Sequence, residues 1–346
     1  MEQVSVVGLD LAKSVFQVHG VNAQGEAVLR RKLSRGQLLK LFEKLPPCLI
    51  GMEACASAHH WARELAALGH EVKLMPPQYV KPYVKRGKND AADAEAICEA
   101  VTRQTMRFVP IKSREQQAAL SIHRARSLLI KQRTQLVNMM RSVIAELGIA
   151  IPVGIEKALQ MARKIVDGEA ELDLPDEAQN VIVVLAEQML QLHAQLRKLD
   201  LRLAALQRSD ERARRLATIP GIGPVGATAL SASVGDPAQF KSGRQFAAFL
   251  GLTPRQRSSG GKERLGRITK MGDAYLRQLL VVGATSLIRS ARSKPETVDP
   301  RFVALVARKP ARVASVAIAN KMARIAWAIM ARGGVFECGH APILAA

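Results

Sequence analysis

The sequence predicts an α/β domain followed by long helices and a basic, helical remainder. Three observations carry this. Short β-branched runs alternate with helix-spaced segments over the first hundred residues. From about Ser113, apolar residues recur every three to four positions over long stretches. Residues 209–346 hold 22 basic against 8 acidic groups, which is +14 of the net +21.

Taken in order, "VSVVGLD" and "SVFQVHGV" read as strands joined by a polar turn, "GEAVLRRKL" as a third strand and "RGQLLKLFEKL" as a helix. "CLIGMEA" reads as a short buried strand, "SAHHWARELAALG" as a helix stopped by Gly69, and "HEVKLM" as a strand halted by Pro76 and Pro77. This alternation implies a mixed sheet covered on both faces. A long helix then runs from Ser113 towards Gly148, and another begins at "PDEAQNV". On the second, Leu190, Leu196, Leu199, Leu203 and Leu206 form a stripe suited either to a coiled coil between subunits or to an intramolecular hairpin. The expected division is 1–108, 109–208 and 209–335, with 336–346 a tail.

Composition narrows the function. No run approaches the roughly 20 apolar residues of a membrane span, and no basic leader precedes an apolar block, so a cytosolic protein without a membrane partner is expected. Cys48, Cys55, Cys98 and Cys338 form no C-x-x-C pair, which predicts reduced thiols rather than a zinc knuckle or disulfide frame. A pI near 10.4 predicts a polyanionic partner, and aromatic content of 4% points to phosphates and shape rather than base stacking.

Four acids stand out. Asp10 leaves the first strand, Glu53 leaves the "CLIGMEA" strand, and Asp90 with Asp93 share one face at the start of the "KNDAADAEAI" helix. Taken singly, each reads as a turn, cap or surface acid. Together they could converge, and carboxylates so placed call for a hard divalent cation between them, the arrangement used to activate phosphodiesters. Lys81, Lys85, Arg86 and Lys88 line the approach to Asp90 as a backbone clamp or a solvated run. His59 and His60 lack metalloprotease spacing.

The segments "VGLDLAKSVFQVHG", "GMEACASAHHWARELAALGHEV" and "PPQYVKPYVKRGKNDAADAEAICEA" resemble the DEDD transposases of the insertion-sequence family one-hundred-and-ten, relatives of the Piv DNA invertases. The resemblance spans almost the whole chain. It implies a RuvC-like, RNase H-like N-terminal domain in which Asp10, Glu53, Asp90 and Asp93 hold magnesium, with manganese as the alternative ion. Ala56 departs from the pattern, which has glycine there.

"GIGPVG" at 221–226 satisfies a dinucleotide fingerprint only in letters, because "RARRLATIP" before it is helical. It fits a helix-hairpin-helix turn instead, in which Gly221 and Gly223 turn the chain and helix-end amides meet a phosphate; a purely structural turn is the alternative. "PRQRSSGGKERLGRITK" carries Arg255, Arg257, Lys262, Arg264, Arg267 and Lys270 against one acid, a composition suited to phosphates. The resemblance places a DNA-attacking serine here, carried over to Ser259 with Ser258 as rival. It further implies donor and target double-stranded DNA as substrates, a noncoding bridge RNA as guide, and a homodimer assembling to a tetramer around a composite site. A junction resolvase or other metal-dependent nuclease would share the acids without needing Ser259, and a nonenzymatic nucleic-acid scaffold would need neither.

Overall fold

The computed structural model describes residues 3–84, 90–256 and 264–337. The chain divides into two compact units, 1–114 and 115–346.

The first unit is a mixed sheet of β1 (Val6–Leu11), β2 (Val15–Val21), β3 (Ala27–Ser34), β4 (Leu49–Glu53) and β5 (Glu71–Met75) in the order β3-β2-β1-β4-β5. The β1–β2 and β2–β3 pairs are antiparallel, and β1–β4 and β4–β5 are parallel. Short polar turns explain the hairpins, whereas the parallel strands need the crossovers that α1 (Leu38–Phe42) and α2 (Ala58–Ala67) supply. Alternation sorts the two faces. Val7, Leu9, Phe16, Val18, Ile50 and Met52 bury one face in a core shared with α1 and α2. After β5 come the short α3 (Pro77–Val80) and then α4 (Asp90–Val101), which covers the opposite face through Ile97, Ala100 and Val101. The sheet is therefore covered on both faces, as the strand pattern predicts.

The second face is unusually close to its helix, and the sequence shows why. Gly8 of β1 lies directly opposite Gly51 of β4. A Cβ on Gly8 would fall 2.0 Å from the Ala94 carbonyl oxygen and 2.4 Å from the Cys98 nitrogen, and one on Gly51 would fall 2.7 Å from the Val101 Cβ. Two adjacent positions without side chains thus form the trough in which α4 rests.

The second unit begins with α5 (Arg114–Ala145), α6 (Ile155–Val166) and α7 (Asp176–Ser209). Arg126 Nε donates to Asp200 Oδ1 at 2.5 Å, and Arg133 Nη1 meets His193 Nδ1 at 3.2 Å. As one residue number rises the other falls equally, so α5 and α7 run antiparallel within one chain. Val137, Met140 and Ile144 share a core with Ile182, Ala186, Met189 and the apolar side of α6. Of the leucine stripe, Leu196 and Leu203 are buried while Leu190, Leu199 and Leu206 are half-buried.

A separate core is built by α8 (Glu211–Leu216), α9 (Pro224–Ser233), α10 (Gly243–Phe249), α11 (Ala274–Ser293), α12 (Pro300–Arg308) and α13 (Ala311–Arg332). α13 is long and apolar enough to cross a membrane by length and composition, but most of its apolar stretch is buried in this core. Between α10 and α11, β6 (Pro254–Gln256) pairs antiparallel with β7 (Leu265–Ile268). The described part of this unit is otherwise helical, as expected, and the two-stranded ribbon is an addition that the sequence pattern does not reveal. Its exposed residues show no apolar face, which is why alternation did not reveal it.

His123 ties α5 to this core. Thr228 Oγ1 donates to the Pro224 carbonyl at 2.7 Å, so it accepts from His123 Nε2 at 3.1 Å, while His123 Nδ1 accepts from the Tyr275 hydroxyl at 3.0 Å. The imidazole is thereby satisfied in its neutral form, and burial together with the Arg126 charge lowers its pKa to about 4.

Two predictions follow from these contacts. Gly51→Ala should destabilise the chain by about 1–3 kcal/mol through overpacking, and Val101→Ala should recover most of that loss in a double-mutant cycle. Gly8→Ala meets backbone and should find no such rescue. For His123, the unfolded chain takes up a proton below about 6.5 that the folded chain refuses until about 4. Stability from this group is therefore lost as pH falls through that window, and melts of His123→Gln should show a shallower decline than the parent between the same limits.

Candidate active site

The close seat of α4 brings three acids together. Asp10 is near the end of β1, Asp90 opens α4 and Asp93 follows one turn later, and one carboxylate oxygen from each lies within 4.8 Å of the others. The α4 first turn suits them, because unpaired amides at a helix N-terminus favour negative charge. Glu53 ends β4, the parallel neighbour of β1. It stands outside the 4.8 Å group, but its carboxyl feels both Asp10 and Asp93.

Among the described residues, like charge and burial dominate the electrostatics of Asp10 and Glu53. Burial, then Asp93, then Asp90 raise the pKa of Asp10 from its ordinary 3.8, with the Leu11 amide pulling the other way. Burial, then Asp10, then Asp93 raise that of Glu53 from 4.5. A proton relieves such crowding in part; a divalent cation relieves it fully, and an all-oxygen donor set is the one hard cations take. The donor chemistry therefore fits magnesium or manganese, with Asp10, Asp90 and Asp93 as the near ligands and Glu53 at the margin.

The remaining candidate residues are placed as follows. Lys85, Arg86 and Lys88 lie outside the described residues, as do Arg257, Ser258, Ser259, Lys262 and Cys338. Gly221 turns the chain after α8 at φ +84°, and Gly223 caps α9 with no side-chain hydrogen bond to its first amides. Both line a mostly apolar cavity of about 320 Å³ in which Arg126 is the charged wall. Arg255, Arg264 and Arg267 are exposed on or beside the β6–β7 ribbon, and Arg255 Nη2 donates to the Thr269 carbonyl at 3.2 Å. Lys270 takes φ +56° just past β7.

The foot of that ribbon is firmly held. Gly272, at φ +69°, sits where a Cβ would fall 1.8 Å from the Phe249 carbonyl oxygen. Arg277 Nη1 donates to the carbonyls of Leu250 at 2.9 Å and Met271 at 2.7 Å.

The histidines have structural partners. His59 Nδ1 accepts from the Lys112 amide at 3.2 Å, and His60 packs on Trp61 beside Glu64. Cys48, Cys55 and Cys98 are free thiols, and burial pushes Cys48 and Cys98 up to about 11. Sequence reasoning did not identify the paired glycines under α4 or the ribbon. The first had a visible signal in two glycines at matching depths of two strands.

Residues 7–149, which hold all four acids, match a DEDD transposase family of the IS110 type described as a transposase. Residues 213–298, which hold the Gly221 turn and the ribbon, match the family described as "Transposase IS116/IS110/IS902 family". The chain is also 49% identical over 334 residues to "Putative transposase y4pF/y4sB" of Sinorhizobium fredii, covering 96% of this chain and 86% of that one. The chain belongs to the IS110 family of transposases. Among its relatives are "Probable family 20 transposase" of Pseudomonas aeruginosa, 48% identical over 97% of this chain and 99% of the other, and "Transposase for insertion sequence element IS1328" of Yersinia enterocolitica, 38% identical over 97% and 100%. This transposase is thus an insertion-sequence enzyme whose family cuts and rejoins DNA.

The raised carboxyls set a pH signature. Asp10 and Glu53 hold protons more readily folded than unfolded, so the ion-free transposase should lose stability as pH rises above their ordinary 3.8 and 4.5 through the raised values. Melts in a chelator should show this decline, Asp10→Asn should flatten it, and added magnesium should raise the melting temperature more at pH 8 than near pH 5.

Proposed function

We propose that this transposase breaks and rejoins strands of donor and target DNA with a magnesium-bearing DEDD site and a covalent serine. The convergence of Asp10, Asp90 and Asp93 within 4.8 Å is the observation that carries the reading. A divalent cation bound there would supply charge neutralisation and Lewis-acid polarisation of a phosphodiester. Asp10, Asp90 and Asp93 would hold it through carboxylate oxygens, with Glu53 completing the set. Asp10 and Glu53 gain most from such a cation, since burial and like charge already disfavour their ionised forms.

Ser259, with Ser258 as rival, is the proposed nucleophile. Its oxygen forms a bond to phosphorus as a strand oxygen leaves, and attack by a strand hydroxyl later reverses the exchange, so the phosphodiester energy is kept in the phosphoserine link. The segment carrying it springs from the anchored β6–β7 ribbon, whose Arg255, Arg264 and Arg267 suit backbone phosphates. Gly221 and Gly223 would offer the α9 amides to another phosphate.

Three further readings rest on the family likeness. The first unit is RuvC-like, which its five-stranded sheet and strand-end acids support. The second contains a helical segment to residue 208 and a basic transposase domain over 209–335, which its two separate cores support. A noncoding bridge RNA guides the enzyme, which works as a dimer assembling to a tetramer; Leu128, Val184 and Leu201, exposed on α5 and α7, suit helix contacts between subunits.

The decisive experiment incubates the full transposase with its element's DNA and magnesium, then resolves protein–DNA adducts under denaturing conditions. The parent should give a covalent band and recombinant product. Ser259→Ala should give neither, and Asp10→Ala should also abolish both. Cleavage by Ser259→Ala without an adduct would establish water as the nucleophile and overturn the serine mechanism; loss of the adduct in Ser258→Ala alone would move the role one residue.

A further inference from the structure

The face of the sheet that carries the acids continues past them, and it changes sign. Register across β1, β2 and β3 puts Asp10, Gln17 and Lys32 in one row, and Gly8, His19 and Arg30 in the next. Paired residues in adjacent antiparallel strands share a face. Arg30 and Lys32 therefore stand on the side of the sheet where α4 lies, two strands from β1, or about 10 Å. The gap between them and α4 is a cleft of about 400 Å³, walled by Gln17, His19, Arg30 and Lys32 on one side and by Ala91 and Glu95 on the other.

Several features favour an anionic strand as occupant. Arg30 and Lys32 are exposed, and among the described residues neither forms an ion pair. The helical wall opens on small Ala91, so a sugar-phosphate chain is not blocked there. The volume is that of a small-ligand site, too small for a duplex whose major groove alone is about 12 Å wide. Glu95 is the acid in the lining, outnumbered by the bases opposite.

We propose that Arg30 and Lys32, with Gln17 between Lys32 and Asp10, form a phosphate track that seats a single DNA strand as it passes the carboxylate cluster. The track rests on the metal-site reading above for its purpose, since it would place the phosphates beside the one being cut. Arg30 and Lys32 are positioning residues. They hold the strand so that the scissile phosphate arrives at the acids, and their charge balances phosphates rather than carboxylates. Gln17 can donate an amide hydrogen to a phosphate oxygen without adding charge.

The test uses the full chain and a short single-stranded DNA oligonucleotide of mixed sequence, with affinity measured over a range of salt. Arg30→Gln with Lys32→Gln should weaken binding about tenfold, and the slope of log affinity against log salt should fall by about 0.7 for each lost phosphate contact. Arg30→Lys with Lys32→Arg should restore most of both. The magnesium-induced rise in melting temperature should be the same in all three proteins, because no ligand to the ion has changed. An unchanged slope and affinity in the glutamine variant would overturn the track, as would a loss confined to an RNA oligonucleotide of the same sequence. Asp10→Asn separates the two ideas: if it leaves the magnesium-induced shift intact, the metal reading fails by itself, while the salt slope still decides the track.

Discussion

The close approach of α4 to the sheet is the constraint on which the first unit depends. Gly8 and Gly51 lie side by side in adjacent parallel strands, and the Ala94 carbonyl and the Val101 side chain occupy the space that two β-carbons would have filled. A helix held at an ordinary distance would keep the same sequence of acids yet carry Asp90 and Asp93 away from Asp10. Packing among uncharged atoms thus sets the spacing of the charged ones.

That packing works against an electrostatic cost. Burial first, and then the repulsion of neighbouring carboxylates, raises the pKa values of Asp10 and Glu53. Opposing that repulsion are the buried Ala94, Ile97, Cys98 and Val101 further along the same helix, which gain by leaving water. α4 divides its labour along its length: Asp90 and Asp93 stand in its first turn, and the residues it buries, from Ala94 to Val101, follow them.

Much of the fold was legible in the sequence. The five strands, α1, α2 and the two long helices follow from alternation, helical spacing and the Gly and Pro stops, because each obeys a local rule. α6 was not singled out, although Ala158, Leu159, Ala162 and Ile165 are spaced to bury one side. The β6–β7 ribbon carried no alternating signal at all, since every residue of β6 faces solvent. For the site, the i, i+3 spacing of Asp90 and Asp93 was visible, whereas their meeting with Asp10 depends on the direction of α4. It depends equally on how closely α4 lies on the sheet, which glycines brought together from distant parts of the chain permit, a non-local fact that no window of sequence contains. The basic row on β3 was readable only as a strand; its relation to Asp10 needed the register.

Among the described residues β3 also occupies an outer position in the sheet, with β2 on one side and no strand on the other. An open strand of this sort invites hydrogen bonding from any extended chain that drifts past, including another molecule of the same protein. The consecutive Arg30, Arg31 and Lys32 cover that border with like charge, so two such borders repel when they meet. The trait that suits them to nucleic acid thus also protects the sheet from sticking to itself while the protein is crowded and still without its polyanion.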